Sequence, residues 1–468
     1  MSYPKRIMVV GNGGRECTLA STMLLSSAVK QLYITPVNWG VLDPHGGKDG
    51  ANRVIPLDIA ASDTSDIVAA ATEHRVDLVV IGPEDPLVNG LADELRAKDI
   101  PVVGPGRDAA QLEGSKQYAK DFMLRHGLPT AEHLLFSDAD ALLEYCKSCQ
   151  HPVVLKADGL AAGKGVIVCS GSDDALAGAR RLMVEREFGA AGDLVLVEER
   201  LFGLEVSWTC LVSGGEGMLL AASTDYKPLL DDNQGPNTGG MGNICPTPNV
   251  NDDVTQEFHE QVFTPYLAGL KADGIDYRGF LFVGTMITRE GLKVLEFNVR
   301  LGDPEAQVVM PLRTADWPQV FLDVAEGKLT PGAIEQRNGA CIAVVAASEN
   351  YPYSKSEPAV IEGFDRVRDK GLLTCGDEQG HAVPPPVSIY FAGVSRELVA
   401  EANSAGNDGY SNYYDQLDRA RFMASGGRVL AVSAHGSDLS DARRLAYEVL
   451  GNIHYAGMKF RSDIGRLR

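Results

Sequence analysis

The chain has 468 residues, too many for one compact core and enough for about three domains. Its net charge of −20 sets it against polyanions, which argues against a nucleic-acid or anionic-lipid binder. The opening MSYPKRIMVVGNGG lacks a signal-like apolar core and no stretch reaches the length of a membrane span, so a cytoplasmic location is expected.

In the first hundred residues, Arg6–Val10, Gln31–Ile34, Leu78–Ile81 and Ile100–Val103 are short apolar runs separated by helical patterns. They predict buried parallel strands in a doubly wound, Rossmann-like α/β domain over residues 1–105, ending where GPGRD breaks the pattern. The first strand runs into Gly11-Asn-Gly13-Gly14-Arg15-Glu16. A dinucleotide reading lacks a third glycine in register and an acid after the second strand. A loop for a sugar phosphate fits better, with Pro36–Gly40 and Gly82-Pro-Glu84 converging on the same crevice.

Residues 106–330 read differently. A helix is expected over Ala110–His126, containing GSKQYAKDF, followed by strands at Val153–Lys156 and Leu194–Glu198. The first of these strands enters Lys156-Ala-Asp-Gly-Leu-Ala-Ala-Gly163-Lys164-Gly-Val166. Its small residues let backbone N–H groups approach phosphate while Lys156 and Lys164 supply charge. It is not a Walker loop, because no Ser or Thr follows Lys164 to hold a metal. Glu198, Glu199 and Glu205 suit a nucleotide pocket, with a carboxylate for ribose hydroxyls. The lone CxxC pair, Cys146 and Cys149, has no second pair to complete a zinc site, so ordinary thiols are expected.

The turn-rich stretch Asp231–Gly242 contains GPNTGGMG, whose backbone can wrap a substrate, with Asn237, Thr238 and Gly239 at its centre and Asp225 and Lys227 ahead of it. Strands at Gly279–Thr288 and Leu292–Phe297 follow. Alternation in LEFNVRLGDPE puts Glu296, Asn298 and Arg300 on one face. Two oxygen ligands there suit Mg²⁺ (or Mn²⁺) completed by triphosphate, and Arg300 can clamp a carboxylate. Residues 331–468 begin with the strand CIAVVAAS, pass an irregular stretch around 402–415, and end in strand Arg428–Ser433 and helix 439–452, a small α+β domain.

Taken in order, GNGGRE, GPEDPLVNGLAD, QLEGSKQYAKDFMLRHGLPTA, VLKADGLAAGKGV, GPNTGGMG, YRGFLFVGTMI, EFNVRLGDPEAQ, SGGRVLAVSAHG and YAGMKFRSDIG resemble the phosphoribosylamine–glycine ligase (glycinamide ribonucleotide synthetase) family of purine biosynthesis across nearly the whole chain. The resemblance implies an ATP-grasp domain over 106–330 with a mobile lid at about 124–193, and an ATP-dependent ligase that forms an amide through an acyl phosphate. It implies that Lys116, Lys156, Glu198, Glu199 and Glu205 contact ATP beside Gly163 and Lys164, and that Glu296 and Asn298 hold magnesium. Arg300 and Asp225 would bind the amino acid, and Gly13, Gly14, Arg15, Asn38, Gly40 and Glu84 would face the phosphoribosyl amine. Small-molecule partners and a monomer or weak homodimer are expected.

The departures from the family pattern are Cys17 where His is usual, Val37 and Trp39 in PVNWG, Pro228 in Tyr226-Lys227-Pro228, and Phe391 in YFAGV. They leave open a paralogous carboxylate–amine ligase with a changed acceptor or amino acid. A fold that has lost catalysis is opposed by the retained Lys116, Lys156, Glu296, Asn298 and Arg300. A nicotinamide-dependent oxidoreductase has only the first glycine loop in its favour.

Overall fold

The computed structural model describes residues 2–41, 53–160, 165–369, 384–398 and 420–466. The amino-terminal part is a five-stranded parallel sheet in the order Val54–Pro56, Gln31–Thr35, Arg6–Val10, Leu78–Ile81, Val102–Val103. Its order reverses between Arg6–Val10 and Leu78–Ile81, so the crevice beyond their carboxyl ends is the place for a ligand. The strands are buried on both sides, which is why they read as unbroken apolar runs.

The expected single helix over Ala110–His126 is two helices, Arg107–Gly114 and Lys116–Arg125. Ser115 between them is extended, and its hydroxyl accepts the Tyr118 N–H at 3.1 Å. The Asp158 carboxylate accepts the Gln117 N–H at 3.1 Å at the same helix start. A serine and a carboxylate thus cap a helix whose first residue is Lys116.

A four-stranded sheet follows, ordered His133–Phe136, Val195–Glu199, Val153–Ala157, Val166–Cys169. It has its own core, built around Leu142, Leu155, Leu182 and the thiols of Cys146, Cys149 and Cys169. The thiols are buried and free, and Cys146 is pushed up to about 11 by burial, with Cys149 adding to the rise.

The largest sheet has eight strands: Gly291–Asn298, Arg278–Thr288, Leu204–Ser213, Glu216–Asp225, Gly242–Cys245, Ala340–Ala347, Arg428–Gly436 and Val387–Phe391. Strands of the carboxy-terminal part therefore continue the central sheet, with Gly242–Cys245 as the joint between Glu216–Asp225 and Ala340–Ala347. Within Asp231–Gly242 the chain is more regular than its composition suggests. Pro228–Leu230 and Gln234–Asn237 pair as a hairpin, and Asp232 and Asn233 turn it at positive φ. The irregular stretch 402–415 lies outside the described residues.

Candidate active site

One cavity of about 320 Å³ lies where the three parts meet. At one end Ala119, Met123, Leu160, Val166, Leu295 and Phe297 form an apolar wall of the kind an adenine ring needs. Lysines stand beside it. Lys116 donates to the Gly159 carbonyl at 2.9 Å, and Lys156 donates to the Leu295 carbonyl at 3.1 Å. The Glu198 carboxylate is held between two lysines, at 2.8 Å from Lys156 and 3.3 Å from Lys120. Lys120 is only 2% exposed and also donates to the Thr130 hydroxyl at 2.7 Å. Burial, only partly offset by Glu198, pulls its pKa down to about 8.

The sequence reading missed Lys120. The signal was there: it follows Lys116 by four residues, so both ammonium groups lie on one helix face. Gly163 and Lys164 lie outside the described residues. Glu199 faces away from the cavity and accepts the Glu132 N–H at 3.0 Å, because successive strand residues point to opposite sides. Glu205 is also off the cavity lining; its carboxylate is paired with Lys227.

Glu296, Asn298 and Arg300 do share the cavity. Burial pushes the Glu296 carboxyl up, but Lys227, Lys156, Lys116 and Arg300 outweigh it and the pKa falls below the usual range. Arg300 is held by three oxygens: Glu84 at 3.2 Å, Glu113 at 3.0 Å and the Asn298 amide oxygen at 3.0 Å. The two acids diverge. Burial raises Glu84, yet Arg300 and Arg15 overcome it and hold the group at about 2. Burial lifts Glu113 to about 7, with Arg300 only partly compensating. Glu113 is a second residue the sequence reading did not single out.

The third wall comes from Asp225, Lys227, Thr238, Gly239 and the Gly302–Glu305 turn. Burial, then the neighbouring Glu305, raise Asp225 well above the ordinary carboxylate range, with Lys227 opposing. Burial works against the Lys227 charge, but Glu205, Glu296 and Asp225 raise its pKa overall. Thr238 donates to the Lys227 carbonyl at 2.7 Å and accepts the Gly240 N–H at 3.0 Å, which shapes the glycine loop. Asn237 is exposed on the hairpin and does not line the cavity. Arg428, from the carboxy-terminal part, completes this wall by donating to the Gly239 carbonyl at 2.5 Å.

The expected phosphoribosyl residues divide. Arg15 and Glu84 line the cavity. Arg15 is fixed by Glu16 at 2.6 Å and by the Leu301 carbonyl at 3.1 Å. Gly13 and Gly14 pack instead against the GDPEAQ segment: a Cβ on Gly14 would come within 2.5 Å of the Gln307 amide. Asn38 is 5% exposed, and its amide donates to the carbonyls of Asn12 at 2.7 Å and Phe391 at 2.8 Å while its oxygen accepts the Gly40 N–H. It joins the amino- and carboxy-terminal parts. Gly40 is needed there because a Cβ would meet the Phe391 side chain at 2.6 Å.

Three of the departures from the family pattern, Cys17, Trp39 and Phe391, sit beside that seam, whereas Pro228 lies on the hairpin of the central part. Cys17 is fully buried in the core. Phe391 is 1% exposed and packs on Phe364 and Phe422 with ring centroids 5.4 and 5.3 Å apart. Trp39 packs at the edge of that core under the Arg396 guanidinium, 5.0 Å from its ring. The Pro228 carbonyl accepts from Arg461 at 3.0 Å. None of these four side chains, nor Val37, lines the cavity.

Comparison with known proteins agrees along the chain. Three family models match in succession: phosphoribosylglycinamide synthetase N domain over residues 5–113, its ATP-grasp (A) domain over 114–306, and its C domain over 341–467. The phosphoribosylamine–glycine ligase of Clostridium acetobutylicum is 36% identical over 461 residues, covering 98% of this chain and 99% of that protein. The human trifunctional purine biosynthetic protein adenosine-3 is 35% identical over 98% of this chain, which spans 42% of that longer protein. The crystal structure of phosphoribosylamine–glycine ligase from Thermotoga maritima superposes with a TM-score of 0.73 at 28% identity, over 98% of this chain and 99% of that one. A biotin carboxylase from Campylobacter jejuni, at 16% identity and a TM-score of 0.66, shares the fold. With sequence identity, domain order and structure agreeing over nearly its full length, the chain belongs to the phosphoribosylglycinamide synthetase family of ATP-grasp ligases.

Proposed function

We propose that the protein joins glycine to 5-phosphoribosylamine at the expense of ATP, releasing ADP and phosphate. The observation that carries this reading is the single cavity in which Lys116 and Lys156, Glu296 and Asn298, and Arg300 stand on adjoining walls. ATP lies with its base against Met123, Leu160 and Leu295 and its phosphates toward the lysines. The segment of about 124–193 acts as the lid, and closure over the phosphates excludes water from the intermediate.

The residues fit a divalent cation. Glu296 is ionised and turned into the cavity, and Asn298 offers an oriented amide oxygen, a hard-oxygen pair that phosphate and water complete. Glu296 and Asn298 would hold Mg²⁺ or Mn²⁺, which when bound neutralises charge on the phosphates.

Arg300 clamps the glycine carboxylate and Asp225 receives its ammonium group. A carboxylate oxygen then attacks the γ-phosphorus, the bond to the ADP oxygen breaks, and Lys116 and Lys156 stabilise the charge on the transferring group. The amine of phosphoribosylamine attacks the resulting acyl phosphate; the amide forms, phosphate leaves, and the amine gives up one proton. Arg15 and Arg428 supply positive charge on the side of the cavity facing the amino-terminal crevice.

A changed acceptor, the alternative that the departures raised, draws no support from the cavity, since Cys17, Trp39, Pro228 and Phe391 lie off its walls. The decisive assay is ADP release with Mg²⁺, glycine and phosphoribosylamine generated in situ, with each omitted in turn. Turnover requiring both substrates is expected. Turnover with glycine replaced by another amino acid, or without phosphoribosylamine, overturns the assignment.

A further inference from the structure

Asn243 stands directly across the ladder from Asp225, on Gly242–Cys245 and Glu216–Asp225 respectively. The neighbouring rung carries the hydrogen bond, from the Tyr226 N–H to the Gly242 carbonyl at 2.9 Å. Asp225 and Asn243 are therefore a non-hydrogen-bonded pair, the kind whose facing side chains start from Cβ atoms about 4.5–5.5 Å apart. Both point to the sheet face covered by helix Ala306–Val309.

This face is unusual. Asn243 is 0% exposed, and neither its amide nitrogen nor its oxygen has a hydrogen-bond partner among the described residues. The same holds for Asp225 Oδ1 and, two residues back on the same strand face, for the Ser223 hydroxyl. Asn243 does not line the cavity. Asp225 does line it. Its carboxylate thus has one aspect toward the substrate, while its enclosed Oδ1, close to Gly240, is left without a partner on the sheet face that carries the uncommitted amide.

We propose that Asn243 is a positioning residue for the amino-acid substrate: its amide donates to the enclosed Oδ1 of Asp225, directly or through one bridging water, and keeps that carboxylate ionised and aimed at the substrate ammonium group. The proposal rests on the reading of Asp225 as the ammonium site. Asp225 is faced by Glu305 of the Gly302–Glu305 turn, Glu205 of strand Leu204–Ser213, Lys227 and Arg428. Two acids and burial favour its neutral form, and two cations oppose them. An N–H donated to the anion tips such a balance toward the charged state, and only a charged Asp225 pairs with an ammonium group.

The test is steady-state kinetics of Asn243→Ala and the volume-conserving Asn243→Leu, with Asn243→Ser returning a donor. Loss of the amide is expected to raise the glycine KM by about tenfold, the worth of one hydrogen bond to a charged group. kcat and the ATP KM should stay within about twofold on the same estimate, and the penalty should grow as pH falls, because a less supported Asp225 takes up its proton more readily. Asn243→Ser should recover most of the loss. An unchanged glycine KM in whichever of the two amide-free variants folds overturns the proposal. So does an equal loss in glycine KM, ATP KM and kcat that serine does not rescue, the mark of a purely structural residue. Asp225→Asn separates the layers: if it leaves the glycine KM unchanged, the reading of Asp225 fails; if it raises that KM while the Asn243 variants do not, this inference alone fails.

Discussion

Arg428 donates to the Asp303 carbonyl at 2.6 Å and lies 3.3 Å from the Asp303 carboxylate. The same guanidinium holds the Gly239 carbonyl. One side chain from the carboxy-terminal part therefore ties together the two loops expected to surround the amino acid and the amine. Asp303 is further fixed by the Gln307 amide at 2.8 Å, so the loop it anchors has little freedom of its own. Arg428→Ala is predicted to lower kcat/KM for both glycine and the amine by about 100-fold, the cost of roughly an ångström of misplacement. Nucleotide affinity, measured by calorimetry with ADP, should change by less than about threefold, because the Arg428 guanidinium is committed to the Gly239 and Asp303 carbonyls. A matching loss in ADP affinity would assign Arg428 to the nucleotide instead.

Arg300 is pre-oriented by Glu84, Glu113 and Asn298. A lysine keeps the charge but not the planar fork that meets a carboxylate with two parallel hydrogen bonds. Arg300→Lys should raise the glycine KM about 100-fold or more, a loss of about 3 kcal/mol for a charge-assisted bidentate pair. Glu113→Gln should do less, about tenfold, since Glu84 and Asn298 still hold the guanidinium. Steady-state kinetics with glycine varied at saturating ATP measures both. Equal effects of Glu113→Gln and Arg300→Lys would mean that Glu113 touches the substrate itself.

Part of the cavity wall was legible because it is local. Strand alternation alone put Glu296, Asn298 and Arg300 on one face, whereas Lys116 came only with the family resemblance, its helix start lying inside the single helix expected over Ala110–His126. What stayed hidden depends on distant pairing. Arg428 reaches the site because Ala340–Ala347 and Arg428–Gly436 extend the central sheet, and sheet extension leaves no periodic mark in a sequence. Asn38 misled for the opposite reason. It occupies a loop at the carboxyl end of a strand, where ligands usually bind, but its amide is spent on the Asn12 and Phe391 carbonyls. The departures at Cys17 and Phe391 misled likewise, since segments close to the site in sequence turned their side chains into the cores.

The cation requirement should separate from folding. Chelation with excess EDTA is predicted to abolish ADP release and to be reversed by Mg²⁺. Glu296→Gln should raise the metal concentration for half-maximal rate by about tenfold or more, since a carboxylate is replaced by a neutral ligand. The Glu296 side chain is 40% accessible, so the thermal midpoint should stay close to that of the unsubstituted protein. Binding of Mn²⁺ in the presence of ADP, followed by electron paramagnetic resonance, gives the same comparison without turnover. An unchanged metal dependence would remove Glu296 from the ligand set.

Lys120 makes the sharpest prediction about pH. Burial holds it at about 8, and the negative phosphates of a bound nucleotide favour its charged form. Nucleotide binding should therefore raise its pKa, and above pH 8 the protein must take up a proton as the nucleotide binds. The sign follows: affinity is flat below pH about 8 and falls as pH rises beyond it, by at most tenfold per unit. Calorimetry of ADP binding at pH 8.5 in buffers of differing ionisation enthalpy reads the proton count, expected to be up to about three quarters and to drop toward zero in Lys120→Met. Arg125, Asp121 and Lys116 lie on the same helix and are unchanged in that variant, so a persisting uptake would move the titration to Lys116, whose pKa burial also lowers. Uptake absent from the unsubstituted protein would show that the Glu198 pairing already keeps Lys120 charged throughout, leaving Glu198 rather than the phosphates as its principal partner.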